Sequence, residues 1–225
     1  RAAAMADAGL DVIFVDAAHG HTRDAIGTVS RIRQQRTSEV QIVAGNVASI
    51  EAARSMVDAG ADAVKVGVDS AASHALAGVG VPILTALLNV VEQCKMMDIP
   101  VVAGSSVSSA SAIAKALAAG AETVVLDSLL TGTEEAPGEL VYHNGHTYKV
   151  VNPAARTQHR PTFSATSHDS YKFDEDAVDT SVPYRGPIAP LVQHLMTSLK
   201  SAMAYTGSKD IRAMIDNAEF VKVQR

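Results

Sequence analysis

Short runs of apolar, largely β-branched residues recur along the first half of the chain. Each is followed by a polar or glycine-containing turn and then by an alanine-rich stretch. The runs are Val12–Asp16, Val40–Ala44, Ala63–Gly67, Pro100–Gly104 and Thr123–Asp127. They are too apolar to have one face in water, so they predict strands buried on both faces, as in a parallel sheet. Between them, apolar residues recur at helical spacing over Ile26–Gln35, Ile50–Ala59, Leu84–Met97 and Ala110–Ala119.

A short phrase, Ala-Gly-Ala/Leu-Asp/Glu, precedes three of these strands and marks a repeated β/α unit. It occurs at Ala8–Asp11, Ala59–Asp62 and Ala119–Glu122, where the glycine ends a helix. A flavodoxin-like or Rossmann sheet would also alternate strands and helices. The close similarity of the units and the polar residues after every strand favour a (β/α)₈ barrel instead. Five units are not eight, so we expect the missing strands before Arg1, where the sequence begins inside a helical pattern.

The pattern changes from Glu139 onward. The sequence there predicts a β-hairpin turning at Asn144-Gly145, and residues 152–182, rich in Pro, Ser, Thr and Asp, predict a long mobile loop. Helical spacing returns at Ile188–Tyr205 and Asp210–Ala218, and Phe220–Val223 predicts a short final strand. The fold class expected is therefore α/β: the C-terminal five β/α units of a TIM barrel, with a hairpin and flap at 139–182 and C-terminal helices, forming one partial barrel domain over residues 1–225.

Composition narrows the function classes. Apolar residues make up 47% and charged residues 19% of the 225 residues, as in a globular protein. The net charge of −5 provides no attraction to nucleic acid or to an anionic membrane. The single cysteine, Cys94, excludes an intramolecular disulfide, and no apolar run has the length of a membrane span. We expect a cytoplasmic protein that binds neither nucleic acid nor membrane.

Several stretches together resemble the IMP dehydrogenase/GMP reductase family, and IMP dehydrogenase most closely. They are Asp16-Ala-Ala-His-Gly-His, Gly45-Asn-Val-Ala, Ala61-Asp-Ala-Val-Lys-Val-Gly, Ala77-Gly-Val-Gly-Val-Pro, Lys115-Ala-Leu-Ala-Ala-Gly-Ala, Ser128-Leu-Leu-Thr-Gly-Thr-Glu-Glu-Ala-Pro-Gly-Glu and Asn217-Ala-Glu-Phe-Val. The resemblance implies that the five strands are the fourth to the eighth of the barrel. It also implies a homotetramer that oxidises the purine nucleotide IMP with NAD and water to XMP and NADH, through a covalent thioimidate on a loop cysteine.

The resemblance also implies roles for individual residues. Asp16 matches the acidic residue that bonds the nicotinamide ribose, and His19 lies in the cofactor-side loop that follows. Asn46 matches an asparagine near the place where cofactor and substrate meet. Gly67 opens the catalytic loop, and Ser128 matches a contact to the substrate phosphate.

The catalytic loop itself departs from the family. The family's Gly-Pro-Gly-Ser-x-Cys-Thr-Thr-Arg corresponds here to Val68-Asp-Ser-Ala-Ala-Ser-His-Ala-Leu, which has no cysteine. Ser70 or Ser73 is a candidate nucleophile, with His74 as a neighbour, but a hydroxyl needs a base placed against it, and the alternative is a polar loop. The loss of the glycine-rich turn also argues against the family's monovalent cation site.

The phosphate-binding and flap segments depart as well. Gly104-Ser105-Ser106 stands where the family has Asp-Gly-Gly, and Asp127 precedes Ser128 where the family has glycine. A carboxylate beside a phosphate would be repulsive unless it is oriented away. In the flap, Tyr171 is the surviving half of the Arg-Tyr pair that activates water, because serine replaces the arginine. Asp176 aligns loosely with another acidic flap position.

Two functions follow. The first is an IMP dehydrogenase-like oxidoreductase; the alternative is a catalytically inactive relative that binds a ligand or acts in assembly or regulation. A third reading is that the strand-end changes are engineered. His19 and His21 have the H-x-H spacing of metal ligands, but no third ligand stands at metal spacing. Cys94 lies in an apolar helical stretch, which predicts a packed side chain.

Overall fold

The protein is described from a computed structural model, over residues 1–35, 40–68, 80–104, 107–143, 145–151 and 180–223. The strands in this part of the chain are β1 Val12–Asp16, β2 Gln41–Val47, β3 Ala63–Val66, β4 Val101–Ala103, β5 Thr123–Val124, β6 Leu140–His143, β7 His146–Val151 and β8 Thr180–Pro183. The helices are α1 Ala2–Asp7, α2 Arg23–Gln34, α3 Ile50–Asp58, α4 Ile83–Met96, α5 Ala110–Ala118, α6 Ile188–Tyr205 and α7 Ile211–Asn217.

The chain divides into two compact units, residues 1–127 with 194–225, and residues 128–193. The first unit holds a five-stranded sheet in the order β1-β2-β3-β4-β5, with every neighbouring pair parallel. Parallel neighbours need a crossover, and helices α2 to α5 supply the four crossovers in chain order. The carboxyl ends of all five strands therefore lie at the same end of the sheet, and the loops that lead into the helices follow them there.

The two faces of the sheet have different partners. Alternate strand residues such as Ile42, Val64 and Val66 pack with the buried sides of α2 to α5 in the main core. The opposite face carries a smaller cluster of three buried residues, Val43, Ala63 and Val102. Phe14 pairs with Val43 in the register and so shares this face, where it is 52% exposed at the β1 edge. Burial on both faces explains why the strands lack the alternation of a half-solvated sheet.

Local sequence fixes where the helices begin at the strand ends. Thr22, Ser49 and Ser109 precede α2, α3 and α5, and each side chain accepts a hydrogen bond from the backbone N–H three residues later. These caps satisfy backbone donors that would otherwise be unpaired in the first turn. The turn between each strand and its helix is therefore closely defined.

An arginine ties the other end of the strands together. Arg33, near the end of α2, donates to the carbonyls of Gly60 at 2.9 Å and Val40 at 3.4 Å, and it pairs with the Asp62 carboxylate. Asp62 in turn accepts from the Ile42 N–H at 2.7 Å. The brace joins the end of α2, the start of β2 and the loop before β3, at the end of the sheet that in barrels serves stability rather than chemistry.

The second unit is an antiparallel three-stranded sheet in the order β6-β7-β8. Lys149 on β7 is 3% exposed and donates to the carbonyls of Thr133 at 2.6 Å and Glu134 at 2.8 Å. Carbonyl acceptors satisfy the lysine's donors and hold the segment that follows Ser128 against the sheet.

The pattern predicts the elements well and their ends less well. The predicted bounds of β1 and α6 are confirmed, and the hairpin forms on either side of residue 144. The loop predicted for 152–182 is wrong at its end, because Thr180–Pro183 pairs with β7 as a third strand. The predicted strand at Phe220–Val223 is also wrong, since no described strand pairs with it and its residues carry no regular structure. None of the helices in the described residues has the length and hydropathy needed to cross a membrane.

Candidate functional site

A lysine and an aspartate form an ion pair at the carboxyl end of the parallel sheet. In the register, Asp16 on β1 lies opposite Gly45 on β2, and Gly45 lies opposite Lys65 on β3. The lysine Nζ donates to Asp16 Oδ2 at 2.7 Å across the intervening strand. Among the described residues, no other group bonds to this carboxylate. Lys65 has a side chain 9% exposed and Asp16 one 33% exposed, so the pair is buried at the amine and open to solvent at the acid.

Two glycines make room for the lysine side chain. A Cβ added at Gly45 would lie 2.5 Å from the Lys65 carbonyl oxygen and 2.8 Å from its Cβ. A Cβ at Gly104 would overlap the methylene groups Cγ and Cε of Lys65. Any larger residue at Gly45 would stand between the amine and the carboxylate. The absence of side chains at these two positions is what lets the lysine stem run across the sheet.

Backbone hydrogen bonds join the ends of β1 and β2. Ala17 N–H donates to the Gly45 carbonyl at 2.8 Å, Asn46 N–H to the Ala17 carbonyl at 2.8 Å, and Gly20 N–H to the Asn46 carbonyl at 2.7 Å. A Cβ at Gly20 would lie 2.8 Å from that Asn46 oxygen, so the loop approaches closely because glycine stands there. Asp16 and Asn46 are thereby held as neighbours.

Asn46 carries a buried side-chain oxygen without a partner. The residue is 7% exposed, and Oδ1 accepts no hydrogen bond within the described part of the chain. A buried amide oxygen left without a donor costs about 1–3 kcal/mol, so such atoms are few in folded proteins. Asn46 is the second-last residue of β2 and directly follows Gly45, the register partner of Asp16, so an unpaired acceptor lies near the ends of these strands.

A small cavity of about 200 Å³ opens among the loops that follow these strands, and His19 is the described residue expected at the site that lines it. It is bounded by the loops after β1, β2 and β3 and the start of α3, and its lining comprises His19, His21, Ala48, Ser49, Ala52, Val68, Gly80 and Val81. The floor is mostly apolar, and the two imidazoles are exposed at its rim. His21 Nε2 lies 3.4 Å from Ser55 Oγ on α3. The lining therefore combines apolar surface with two imidazoles.

The start of α3, at the rim of this cavity, holds a carboxylate in its charged form. Hydrogen bonds from its own backbone N–H and from the Ser49 hydroxyl lower the pKa of Glu51, desolvation opposes them, and the charges of Arg54 and His21 add to the lowering. An acid in the first turn is also favoured by the helix dipole. The negative charge is therefore kept on the helix terminus at neutral pH.

The remaining residues expected at the site lie in three different situations. Gly67 follows β3 with φ +138° and donates its N–H to the Val47 carbonyl at 2.9 Å. Ser128 is exposed in the second unit, where its carbonyl accepts from the Thr131 hydroxyl at 2.6 Å. Asp127 is exposed at the end of the first unit. Tyr171 lies outside the described residues, as do the loop and flap positions Ser70, Ser73, His74, Ser105, Ser106 and Asp176.

The described residues contain neither an accessible cysteine nor a group of side chains that could bind a metal ion. Cys94 is fully buried on α4 within the main core, and desolvation raises the pKa of its thiol. It is the packed side chain that the sequence predicts, since a buried thiol kept neutral is a poor nucleophile. The described residues contain no group of three His, Cys, Asp or Glu side chains able to hold a metal ion, so His19 and His21 lack a third ligand there.

Sequence reasoning missed Lys65, although the sequence carries a signal for it. It stands in the middle of Ala63-Val-Lys-Val-Gly67, a run otherwise suited to burial on both faces. Lysine is almost never buried unless its charge is paired. A lysine within such a strand therefore indicates a partner across the sheet, but the partner's identity depends on the strand register.

The fold and the strand-end groups define the class of protein: part of a (β/α)₈ barrel, with polar residues near the carboxyl ends of its strands, where such barrels carry their sites. A family model described as "IMP dehydrogenase / GMP reductase domain" matches residues 1–225. The chain is 41% identical over 232 residues to inosine-5'-monophosphate dehydrogenase of Aquifex aeolicus, covering 99% of this chain and 47% of that protein. It is 40% identical over 238 residues to the enzyme of Mycobacterium bovis, covering 99% and 45%.

Solved structures agree with the sequence relatives. GMP reductase from Trypanosoma brucei, as a cysteine-to-alanine variant in complex with guanosine 5'-monophosphate, superposes with a TM-score of 0.82 at 35% identity, covering 98% of this chain and 46% of that one. The chain therefore belongs to the IMP dehydrogenase/GMP reductase family, and the expected partial TIM barrel is confirmed. It spans about half the length of the curated relatives it matches.

Proposed function

We propose that the protein is an IMP dehydrogenase-like oxidoreductase that binds NAD at the ends of β1 and β2 beside a purine nucleotide. The observation that carries the proposal is that Asp16 and Asn46 stand near the ends of two strands joined by backbone bonds, with His19 of the adjoining loop lining a cavity. The chain's relatives are named as enzymes of IMP and GMP. A carboxylate, a free amide oxygen and an imidazole provide acceptors suited to the hydroxyl and amide donors of a nicotinamide nucleoside.

The residues present fit the cofactor on structural grounds. Lys65 bonds Oδ2 of Asp16 and leaves Oδ1 for the hydroxyls of a ribose, to which a carboxylate bonds strongly. The unpartnered Oδ1 of Asn46 can accept from an N–H or O–H group of the ligand. When bound, NAD supplies the acceptor for a hydride from the nucleotide. The chain's own residues orient the ring system and keep one side of it away from water through the apolar lining.

The wider features of the enzyme follow from the family rather than from the described geometry. We propose that Gly67 opens the loop over the nucleotide and that Ser128 contacts its phosphate. We further propose that Tyr171 acts on the hydrolytic water, and that residues 139–182 form a flap within one barrel domain. A homotetramer in the cytoplasm, without nucleic acid or membrane partners, completes the proposal.

A second candidate function is a catalytically inactive relative that binds the same ligands and acts in assembly or regulation. One observation favours it: the only cysteine of the chain, Cys94, is buried on α4 and is held as a neutral thiol. No cysteine of this chain can therefore form the covalent bond to the purine that the family uses. If the reaction occurs with a nucleophile from these 225 residues, that nucleophile is not a cysteine.

The two candidate functions make different predictions for turnover of IMP and the same prediction for binding of IMP and NAD. The full-length protein is incubated with IMP and NAD while NADH absorbance is followed, and binding of IMP and NAD is measured separately by calorimetry. A parallel incubation with GMP and NADPH tests the reductase direction of the family. Turnover in either assay would refute the inactive reading. Saturable binding without turnover supports it, and no binding of NAD or of either nucleotide would refute both.

A further inference from the structure

We propose that Lys65 is a positioning residue that holds the Asp16 carboxylate in the orientation that receives the cofactor ribose. This inference rests on the proposed function, because it assigns Asp16 to NAD. It adds a residue on a third strand, β3, to a site otherwise built from the ends of β1 and β2. The lysine Nζ bonds the acid, and under this proposal its effect on binding is exerted through Asp16.

Strand register places the two charges within reach and leaves a single path between them. Asp16 and Lys65 lie two interstrand steps apart, about 9–10 Å between their backbones. Gly45 occupies the step between them, and Gly104 flanks the lysine stem on the other side. The stem therefore crosses a channel without side chains, and its Nζ ends 2.7 Å from Oδ2.

Burial and charge distinguish this pair from a surface salt bridge. Exposed pairs contribute little because both side chains are mobile and solvated. Here Lys65 is 7% exposed, and the described residues provide its ammonium with one carboxylate and no second acid. Removing a charge of this size from water is costly unless the charge is paired. Asp16 is thus bound at Oδ2 by a cation whose side chain is 9% exposed, while the side chain of the acid is 33% exposed.

The arrangement has a direct consequence for a ligand with two adjacent hydroxyl groups. A free aspartate at a strand end rotates among conformations, and binding a diol requires one of them to be selected. With Oδ2 fixed by Lys65, the plane of the carboxylate is set before the ligand arrives, so less rotational freedom is lost on binding. Preorganised groups of this kind act best when they are themselves held by a second hydrogen bond.

The test is a double-mutant cycle on the full-length protein, with NAD and IMP binding measured by calorimetry. The variants are K65M, D16N and the double variant, and K95M is the matched control, because Lys95 is an exposed lysine on α4. We expect K65M to weaken NAD binding about tenfold or more, as for loss of a charge-assisted bond. IMP binding should change less than twofold, and K95M should leave both affinities unchanged.

The double-mutant cycle distinguishes an effect of Lys65 through Asp16 from an independent effect of Lys65 on NAD binding, such as packing. If Lys65 acts through the acid, the double variant binds NAD no more weakly than D16N alone. Equal NAD affinity of K65M and the unmodified protein would overturn the inference while leaving the proposed function intact. Additive losses would overturn it as well, since they would mean that Lys65 acts independently. No NAD binding by the unmodified protein would refute the proposed function and the inference together.

Folding of the variants is checked independently. Circular dichroism and thermal unfolding establish whether K65M retains the native structure, and K65Q replaces it in the cycle if it does not. Glutamine is uncharged but keeps a hydrogen-bond donor. K65R provides the rescue: a cation restored at this position should recover part of the NAD affinity that K65M loses, whereas a lysine needed only for packing would give no advantage to arginine over methionine.

Discussion

Replacing Gly45 by alanine tests the arrangement of the site through a single methyl group. The new Cβ would lie 2.5 Å from the Lys65 carbonyl oxygen, 2.8 Å from its Cβ and 3.2 Å from its carbonyl carbon. Ordinary contacts between such atoms begin near 3.4 Å, so three neighbouring atoms are too close. All belong to the backbone or Cβ of β3, which cannot rotate away. The sheet must open between β2 and β3 to accept the methyl group.

The cost follows from these contacts. Overpacking of a well-packed interior by one carbon costs about 1–3 kcal/mol. Replacing glycine also reduces the freedom of the unfolded chain, which offsets about 0.4–1 kcal/mol. The net loss of stability is about 1–2 kcal/mol, and for a domain of this size the melting temperature should fall by about 2–8 °C. Separation of the strands also displaces Lys65 from Asp16, so NAD affinity should fall with stability.

The assay is thermal unfolding followed by circular dichroism, with NAD binding measured on the folded variant below its transition. Gly27 on α2 provides the matched control, because a Cβ added there meets nothing within 4 Å. Alanine is favoured over glycine within a helix by about 1 kcal/mol, so G27A should raise the melting temperature by about 2–4 °C. Replacement of glycine by alanine is therefore expected to lower the melting temperature at position 45 and to raise it at position 27.

The reasoning fails if G45A and G27A shift the melting temperature in the same direction. An unchanged melting temperature in G45A would show that β2 and β3 separate without cost and that the register-based contact is incorrect. A destabilised G45A that retains full NAD affinity would support the packing argument and refute the link between Gly45 and the ligand site.

Three further predictions concern stability and reactivity. R33A should lower the free energy of unfolding, measured by chemical denaturation, by about 1–2 kcal/mol, a moderate loss because the pair with Asp62 is partly exposed. R31A, an exposed control on the same helix, should change the free energy of unfolding by less than about 0.5 kcal/mol. Equal effects of the two variants would refute the stabilising role of the Arg33 contacts. Cys94 should react with a thiol reagent only upon unfolding, so rapid labelling of the native protein would contradict its burial. The wild type should have a higher free energy of unfolding than E51Q above pH 4.5, and this advantage should be lost as the pH falls through the lowered pKa of Glu51. The reason is that the folded state binds the Glu51 proton more weakly than the unfolded state does. A difference in the free energy of unfolding that does not depend on pH would refute this prediction.

Much of the fold could be predicted because its elements depend on local sequence. β1 is a run of Val, Ile and Phe between a helix-ending glycine and a polar turn, and its bounds are confirmed. The strand at Thr180–Pro183 could not be found in this way, because it depends on a partner that lies about thirty residues earlier in sequence, β7. Conversely, Phe220–Val223 has β-branched residues but no described neighbour, and a strand requires one.

The site shows the same division. Asp16 ends one predicted strand, and His19 and Asn46 come shortly after predicted strands, so topology alone indicates that they are neighbours. The pairing of Lys65 with Asp16 depends on the register of three strands and on a glycine between them, and no local pattern contains that information. Asn46 could be predicted as a site residue, but its unpartnered oxygen becomes visible only when every nearby donor is placed.

Backbone hydrogen bonds couple the motion of the loop after β1 to that of the end of β2. The three N–H donors of Ala17, Gly20 and Asn46 are all consumed in this junction. Displacing the backbone of Ala17 or Gly20 breaks bonds to Gly45 and Asn46, so we expect the loop and the end of β2 to open together. In hydrogen exchange, the three amides should open together at one rate, and ligand binding should slow all three by the same factor.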